Sequence, residues 1–222
     1  MSLTPDFGRG SPVTLAIRNG RLLDPATGLD VANDLLVADG KIASHDARNT
    51  PAQVDFDATG LLVVPGLIDV HVHLRQPGKE QAETVATGCA AALAGGFTTI
   101  LAMPNTSPAT DSPAMVQQVK RLADEAAGPR VEVAACITEG RKGGKLADLR
   151  ALAAAGVAGF SDDGSGVADA ALMNRTLADL RVALRLAYPG QFELVAHPHD
   201  RSGARVVVRF HPPPGTPNPD PY

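Results

Sequence analysis

From residue 65 onward, short apolar runs alternate with stretches of helical spacing, and this alternation limits the fold more tightly than anything else in the chain. Strand-length runs stand at Leu61–Val70, Phe97–Met103, Val131–Ile137, Val157–Phe160 and Phe192–Ala196. Between them, Lys79–Ala94, Asp111–Ala127, Leu146–Ala155 and Ala168–Leu186 are rich in helix formers, with Ala and Leu recurring at helical intervals. Gly95-Gly96, Gly128-Pro129, Gly156 and Pro189-Gly190 stop these helices. Asp111 or Ser112 serves as an N-cap, and Pro113 fits a first helical turn. Strands and helices in this order build a parallel sheet. The continuous apolar character of Leu61–Val70 predicts a strand buried on both faces. Five strands and four helices fall short of a closed (β/α) barrel, which takes eight of each and about 250 residues. The expectation is an α/β chain carrying about five strands of a TIM-type barrel.

Residues 13–64 have a different rhythm. Val13–Ile17, Arg21–Asp24, Asp34–Val37, Lys41–Ala43, Val54–Phe56 and Leu61–Val64 read as short strands, with no helical stretch among them. Asn19-Gly20 and Asp39-Gly40 are hairpin-type turn pairs. Residues 1–12 read as a loose terminus. Residues 201–222 read as an irregular tail, because prolines crowd its end. The expected division is therefore 13–64 as a β-rich segment, 65–200 as the partial barrel and 201–222 as the tail.

Polar residues recur at the C-terminal ends of the strands, where a (β/α) barrel keeps its chemistry. They are His71, His73 and Arg75, then Asn105, Thr138, Asp162 with Asp163, and His197. Side chains two apart on a strand share a face, so His71 and His73 could hold one metal ion. Arg75 has the same parity if the extended backbone persists, and a guanidinium there suits a carboxylate substrate. Asp162 and Asp163 compete for one role, since either could instead cap the following helix. Thr138 and Cys136 read as structural. A formal net charge of −4 favours neither nucleic acid nor membrane. No apolar run reaches about 18 residues, and the N-terminus lacks a secretory leader, so the expectation is a cytoplasmic chain with Cys89 and Cys136 reduced.

The stretch Pro65-Gly66-Leu67-Ile68-Asp69-Val70-His71-Val72-His73-Leu74-Arg75-Gln76-Pro77-Gly78 resembles the signature of dihydroorotases, within the amidohydrolase superfamily. Gly95-Gly96-Phe97-Thr98-Thr99, Met103-Pro104-Asn105-Thr106 and Phe160-Ser161-Asp162-Asp163-Gly164 resemble three further blocks of the bacterial type I enzymes, in the family's order. The resemblance spans residues 13–175, weakens to 200 and then ceases. It implies a metal-dependent hydrolase barrel flanked by a small β-sandwich, to which residues 13–64 would contribute. It also implies a zinc-dependent enzyme, with one or two ions, that interconverts N-carbamoyl-L-aspartate and dihydroorotate in pyrimidine (UMP) biosynthesis. By that resemblance His71 and His73 would ligate the first zinc, and Asp163 would bridge the metals where relatives use a carboxylated lysine. His197 would ligate the second zinc, with His199 as its rival because Pro198-His199-Asp200 departs from the family pattern. His73, Arg75 and Asn105 would face the substrate, with Arg75 and Asn105 on its carboxylate.

The family's third zinc histidine and its late general-base aspartate have no counterpart after residue 200, so no proton carrier is assigned. This reading expects a truncated or frameshifted chain whose open sheet edge a second copy or a partner would cover. Two other functions compete. One is another cyclic amidase, a hydantoinase or allantoinase, which would place a lysine where Asp162-Asp163 stands. The other is a non-catalytic partner of aspartate carbamoyltransferase, which would have lost the ligands that His71, His73 and Asp163 retain.

Overall fold

The computed structural model describes residues 14–187, 192–197 and 205–210, with side chains through residue 179. The chain divides into two compact units, one ending at Pro65 and the next beginning at Gly66.

The first unit is a five-stranded sheet built around β1 (Leu15–Asp24). β2 (Leu29–Ala38) pairs antiparallel with one edge of β1, and β3 (Lys41–Ser44) adds antiparallel to β2. β4 (Val54–Asp57) and β5 (Leu62–Val63) pair in parallel with successive parts of the other edge. The Asp39-Gly40 turn forms with both residues at positive φ, 51° and 70°, the geometry that matches the twist of the flanking strands. Asn19-Gly20 behaves otherwise. No hairpin forms there; β1 runs straight through, with one extra residue against β2 and Asn19 left-handed at φ 61°. That is a bulge, and Asn tolerates it because its short polar side chain suits the left-handed region. The real hairpin lies at Pro25–Gly28, where the Asp24 carboxylate accepts from the Ala26 N–H (3.0 Å) and the Thr27 hydroxyl (2.9 Å).

The second unit holds a parallel sheet in the order β6 (Leu67–Val72), β7 (Phe97–Ala102), β8 (Arg130–Ala135), β9 (Gly159–Phe160). Connecting them are α1 (Val85–Ala94), α2 (Pro113–Ala126) and α3 (Leu149–Ala154), and α4 (Ala170–Ala187) follows β9. Its core joins Ile100 and Val133 of the sheet to Val85, Val116, Val119 and Leu152 of the helices, all nearly inaccessible. Burying such side chains contributes on the order of 2 kcal/mol each. The helices begin later than the sequence suggests. α1 starts at Val85 because Thr84 forms a reciprocal cap with Thr87 and the Gln76 amide oxygen accepts from the Val85 N–H (3.0 Å). Lys79–Glu83 stays in turns.

Three expectations change. The run Leu61–Val70 is two strands in two units, broken at Pro65-Gly66. Ile68 and Val70 are 65% and 68% exposed, and β6 lies at the sheet edge, where among the described residues only β7 pairs with it. The parallel sheet therefore has four strands among the described residues, rather than about five. Phe192–His197 forms β10, but it pairs antiparallel with β11 (Arg205–Phe210) in a separate ribbon. The expected irregular tail thus contains a strand, which the β-branched Val206-Val207-Val208 favours.

Candidate metal centre

The β6 strand ends at Val72, and the chain continues past the C-terminal end of the sheet through His73. A register shift against β7 between Asp69 and Val72 sets Val70 and His71 opposite the single residue Leu101, an irregularity at the first histidine itself. Both imidazoles still reach one side, edge to face, with ring centroids 5.1 Å apart. Leu74 turns the opposite way and is buried, filling the space beside Gly88 on α1. Arg75 does not continue the alternation: its backbone is left-handed at φ 60°, so strand parity says nothing about its direction.

Asp163 arrives from the loop after β9. Its Oδ1 lies 3.4 Å from His71 Nε2 and its Oδ2 lies 3.6 Å from His73 Nε2. One donor atom from each of the three side chains lies within 4.8 Å of the others. Tetrahedral zinc with N and O ligands has ligand–ligand edges of roughly 3.4 Å, so two imidazoles and one carboxylate at these separations fit a divalent metal of that kind. The side chains grade from open to enclosed: His71 is 55% exposed, His73 29% and Asp163 18%.

Asn105, at the end of β7, ties two of these groups together. Its amide oxygen lies 2.9 Å from His73 Nδ1, and its amide nitrogen donates to Asp163 Oδ2 at 2.9 Å. An amide oxygen only accepts, so Nδ1 donates in this contact, and Nε2 is the ring nitrogen turned toward Asp163. This is the outer-shell arrangement that orients a metal-binding histidine.

The structure separates the two aspartates. Asp162 is buried and accepts from the Ile137 N–H (2.8 Å), the Thr138 N–H (3.1 Å) and the Thr138 hydroxyl. Its carboxylate is spent on the strand-end backbone and caps no helix. Asp163 alone faces the histidines. Thr138 is fully buried in this latch and also accepts from the Gly143 N–H (3.0 Å). Burial, reinforced by Asp162 and Asp111, pushes the Cys136 thiol up to about 12, away from the thiolate that a nucleophile needs. Burial raises the Cys89 thiol as well, and both cysteines are free.

His197 closes β10 opposite Arg205, and its side chain lies outside the described residues, as does the whole of His199. Sequence reasoning missed Arg141. Its guanidinium donates through Nη2 to the Asp163 carbonyl and to the Ser165 hydroxyl (3.3 Å). Nothing in the sequence separates this arginine from a surface one except its place in the loop after β8.

The family model described as dihydro-orotase-like matches residues 60–189. A dihydroorotase from Solibacter usitatus is 44% identical over 164 residues, covering 73% of this chain and 38% of that protein. A dihydroorotase from Pelobacter propionicus is 43% identical over 192 residues, covering 86% of this chain and 44% of that protein. Among solved structures, the L-hydantoinase (dihydropyrimidinase) from Arthrobacter aurescens is similar in fold. It has a TM-score of 0.65 and 24% identity over 77% of this chain and 39% of its own. The chain spans about two fifths of the length of these proteins.

Proposed function

The chain belongs to the dihydro-orotase-like family, and from that premise we propose that it serves a zinc-dependent cyclic amidohydrolase reaction, the interconversion of N-carbamoyl-L-aspartate and dihydroorotate in pyrimidine biosynthesis. The observation that carries this reading is the convergence of His71, His73 and Asp163 from two strand ends on one small volume. His71 and His73 would hold the first ion, Asp163 would be shared between it and a second, and His197 is the proposed ligand of that second ion. When bound, zinc supplies a Lewis acid that polarises the amide carbonyl and acidifies water.

The chain's own groups do the rest. Arg75 would grip the substrate carboxylate through a two-pronged guanidinium contact, fixing the ring against the site. Asn105 has a second amide hydrogen beyond the one given to Asp163, so it can orient the ligands and still donate to the same carboxylate. His73, held by Asn105, would face the substrate from the enclosed side of the site. Asp163 is the one carboxylate among the three and would balance the positive charge of the metal. The buried, free cysteines suit a cytoplasmic setting. Small-molecule substrates are the proposed partners, with a second copy or aspartate carbamoyltransferase as the macromolecular ones.

The test is dihydroorotate hydrolysis by the purified chain, with zinc content determined on the same sample and a His71→Ala control beside it. The expected result is turnover that disappears in the control. Turnover of hydantoin or allantoin without dihydroorotate would overturn the substrate. Absence of both turnover and zinc, with co-purification of a carbamoyltransferase, would replace the enzyme by a non-catalytic partner.

A further inference from the structure

We propose that Arg141 is a positioning residue of the metal centre: its guanidinium clamps the Asp163 carbonyl and thereby fixes where the Asp163 carboxylate meets His71 and His73. The inference rests on the metal-site reading above and adds to it a residue that touches neither metal nor substrate.

Three observations support it. First, Arg141 adopts a left-handed backbone at φ 60° in the turn Glu139–Arg141, next to Gly140, which is left-handed at φ 59°. For a residue with a Cβ this conformation is strained and persists only where the surroundings hold it. Second, its Nε is buried and has no hydrogen-bond partner among the described residues, a further cost at the same side chain. Third, what these costs secure is one contact set: Nη2 to the Asp163 carbonyl and to the Ser165 hydroxyl, on either side of Gly164. Gly164 is left-handed at φ 74°, so the loop reverses there and Asp163 is presented at its apex.

The loop does not need Arg141 to stay attached. The same segment already fastens it through Asp162, which is held by the Ile137 and Thr138 backbone and the Thr138 hydroxyl. Ser161 adds a further tie, its hydroxyl accepting from the Asp163 N–H (3.1 Å). Those contacts fix the residues before Asp163 and its own N–H. Arg141 is the clamp on Asp163's own carbonyl, and with the N–H held on one side of the Cα and the carbonyl on the other, the direction in which the carboxylate leaves the backbone is set. Outer-shell contacts of this kind typically change metal affinity by about 10–100-fold when removed.

The experiment titrates cobalt(II) into the full chain and follows its visible absorption, which reports both affinity and ligand geometry. Wild type is compared with Arg141→Met and Arg141→Lys, each checked by circular dichroism. The expected result is cobalt binding about tenfold weaker or worse in R141M, with an altered band shape, and an intermediate value in R141K, which keeps one donor. Millimolar guanidinium chloride should restore part of the R141M loss. A folded R141M that binds cobalt within twofold of wild type with the same spectrum would overturn the proposal. Should R141M not fold, R141K decides alone: weakened binding with a changed spectrum supports the clamp, and unchanged binding overturns it. Wild type that binds no cobalt would overturn the metal reading itself, and the clamp with it.

Discussion

Asp162 and Asp163 share a loop and a chemistry, yet their surroundings assign them to different tasks. Asp162 accepts from two backbone N–H groups and one hydroxyl in a buried place. Replacing it by alanine strands those donors, each worth about 1–3 kcal/mol when buried and unpaired. Asp162→Ala should therefore lower the unfolding free energy by about 3 kcal/mol or more, read from urea denaturation. Asp163 makes one side-chain hydrogen bond, from Asn105, and sits beside two histidines. Asp163→Ala should change stability by less than about 1 kcal/mol and abolish metal uptake measured by calorimetry. A result in which Asp163→Ala is the more destabilising would reverse the two roles.

At the scale of elements, the site depends on two loops pressed together. The loop after β6 carries Arg75, and the loop after β7 carries Asn105. They meet at Gly78, whose φ is 100° and whose added Cβ would lie 2.1 Å from the Ser107 carbonyl oxygen. The Ser107 N–H also donates to the Pro77 carbonyl at 2.9 Å. No side chain fits that gap, and a backbone carbonyl cannot rotate away as a flexible side-chain tip would. Gly78→Ala should force the loops apart, with a loss of about 2 kcal/mol or more in stability. Proteolysis of the 75–80 segment should then be faster than in wild type. Unchanged stability and cleavage would mean that the contact is not needed to hold the two loops together.

At the scale of the whole molecule, the proposed site joins β6, β7 and the loop after β9, elements separated by up to 92 residues between His71 and Asp163. A ligand that binds only the folded chain stabilises it as a whole. Zinc at about a hundredfold excess over its dissociation constant would add about 2.7 kcal/mol. For a chain of this size that corresponds to a rise of roughly 5–10 °C in Tm. Scanning calorimetry should show the rise in wild type and lose it in Asp163→Ala. An equal rise in both would place zinc elsewhere on the chain.

The amino-acid order alone determined the alternation of β/α units, the His71-x-His73 pair at a strand end and the resemblance carried by four short blocks, because periodicity and local spacing are written in consecutive residues. It also determined the Asp39-Gly40 turn, since two successive left-handed positions select those residues. Only the tertiary structure decided which aspartate faces the histidines, because Asp162 is occupied by donors from residues 137–138 that are distant in sequence. The same holds for the exposure of Ile68 and Val70, which depends on what packs over the faces of the strand rather than on how apolar it is. The pairing of Phe192–His197 with Arg205–Phe210 was decided there too, since strand composition carries no address for its partner. Arg141 belongs with these: an arginine becomes a clamp only when the fold brings a carbonyl within reach of its guanidinium.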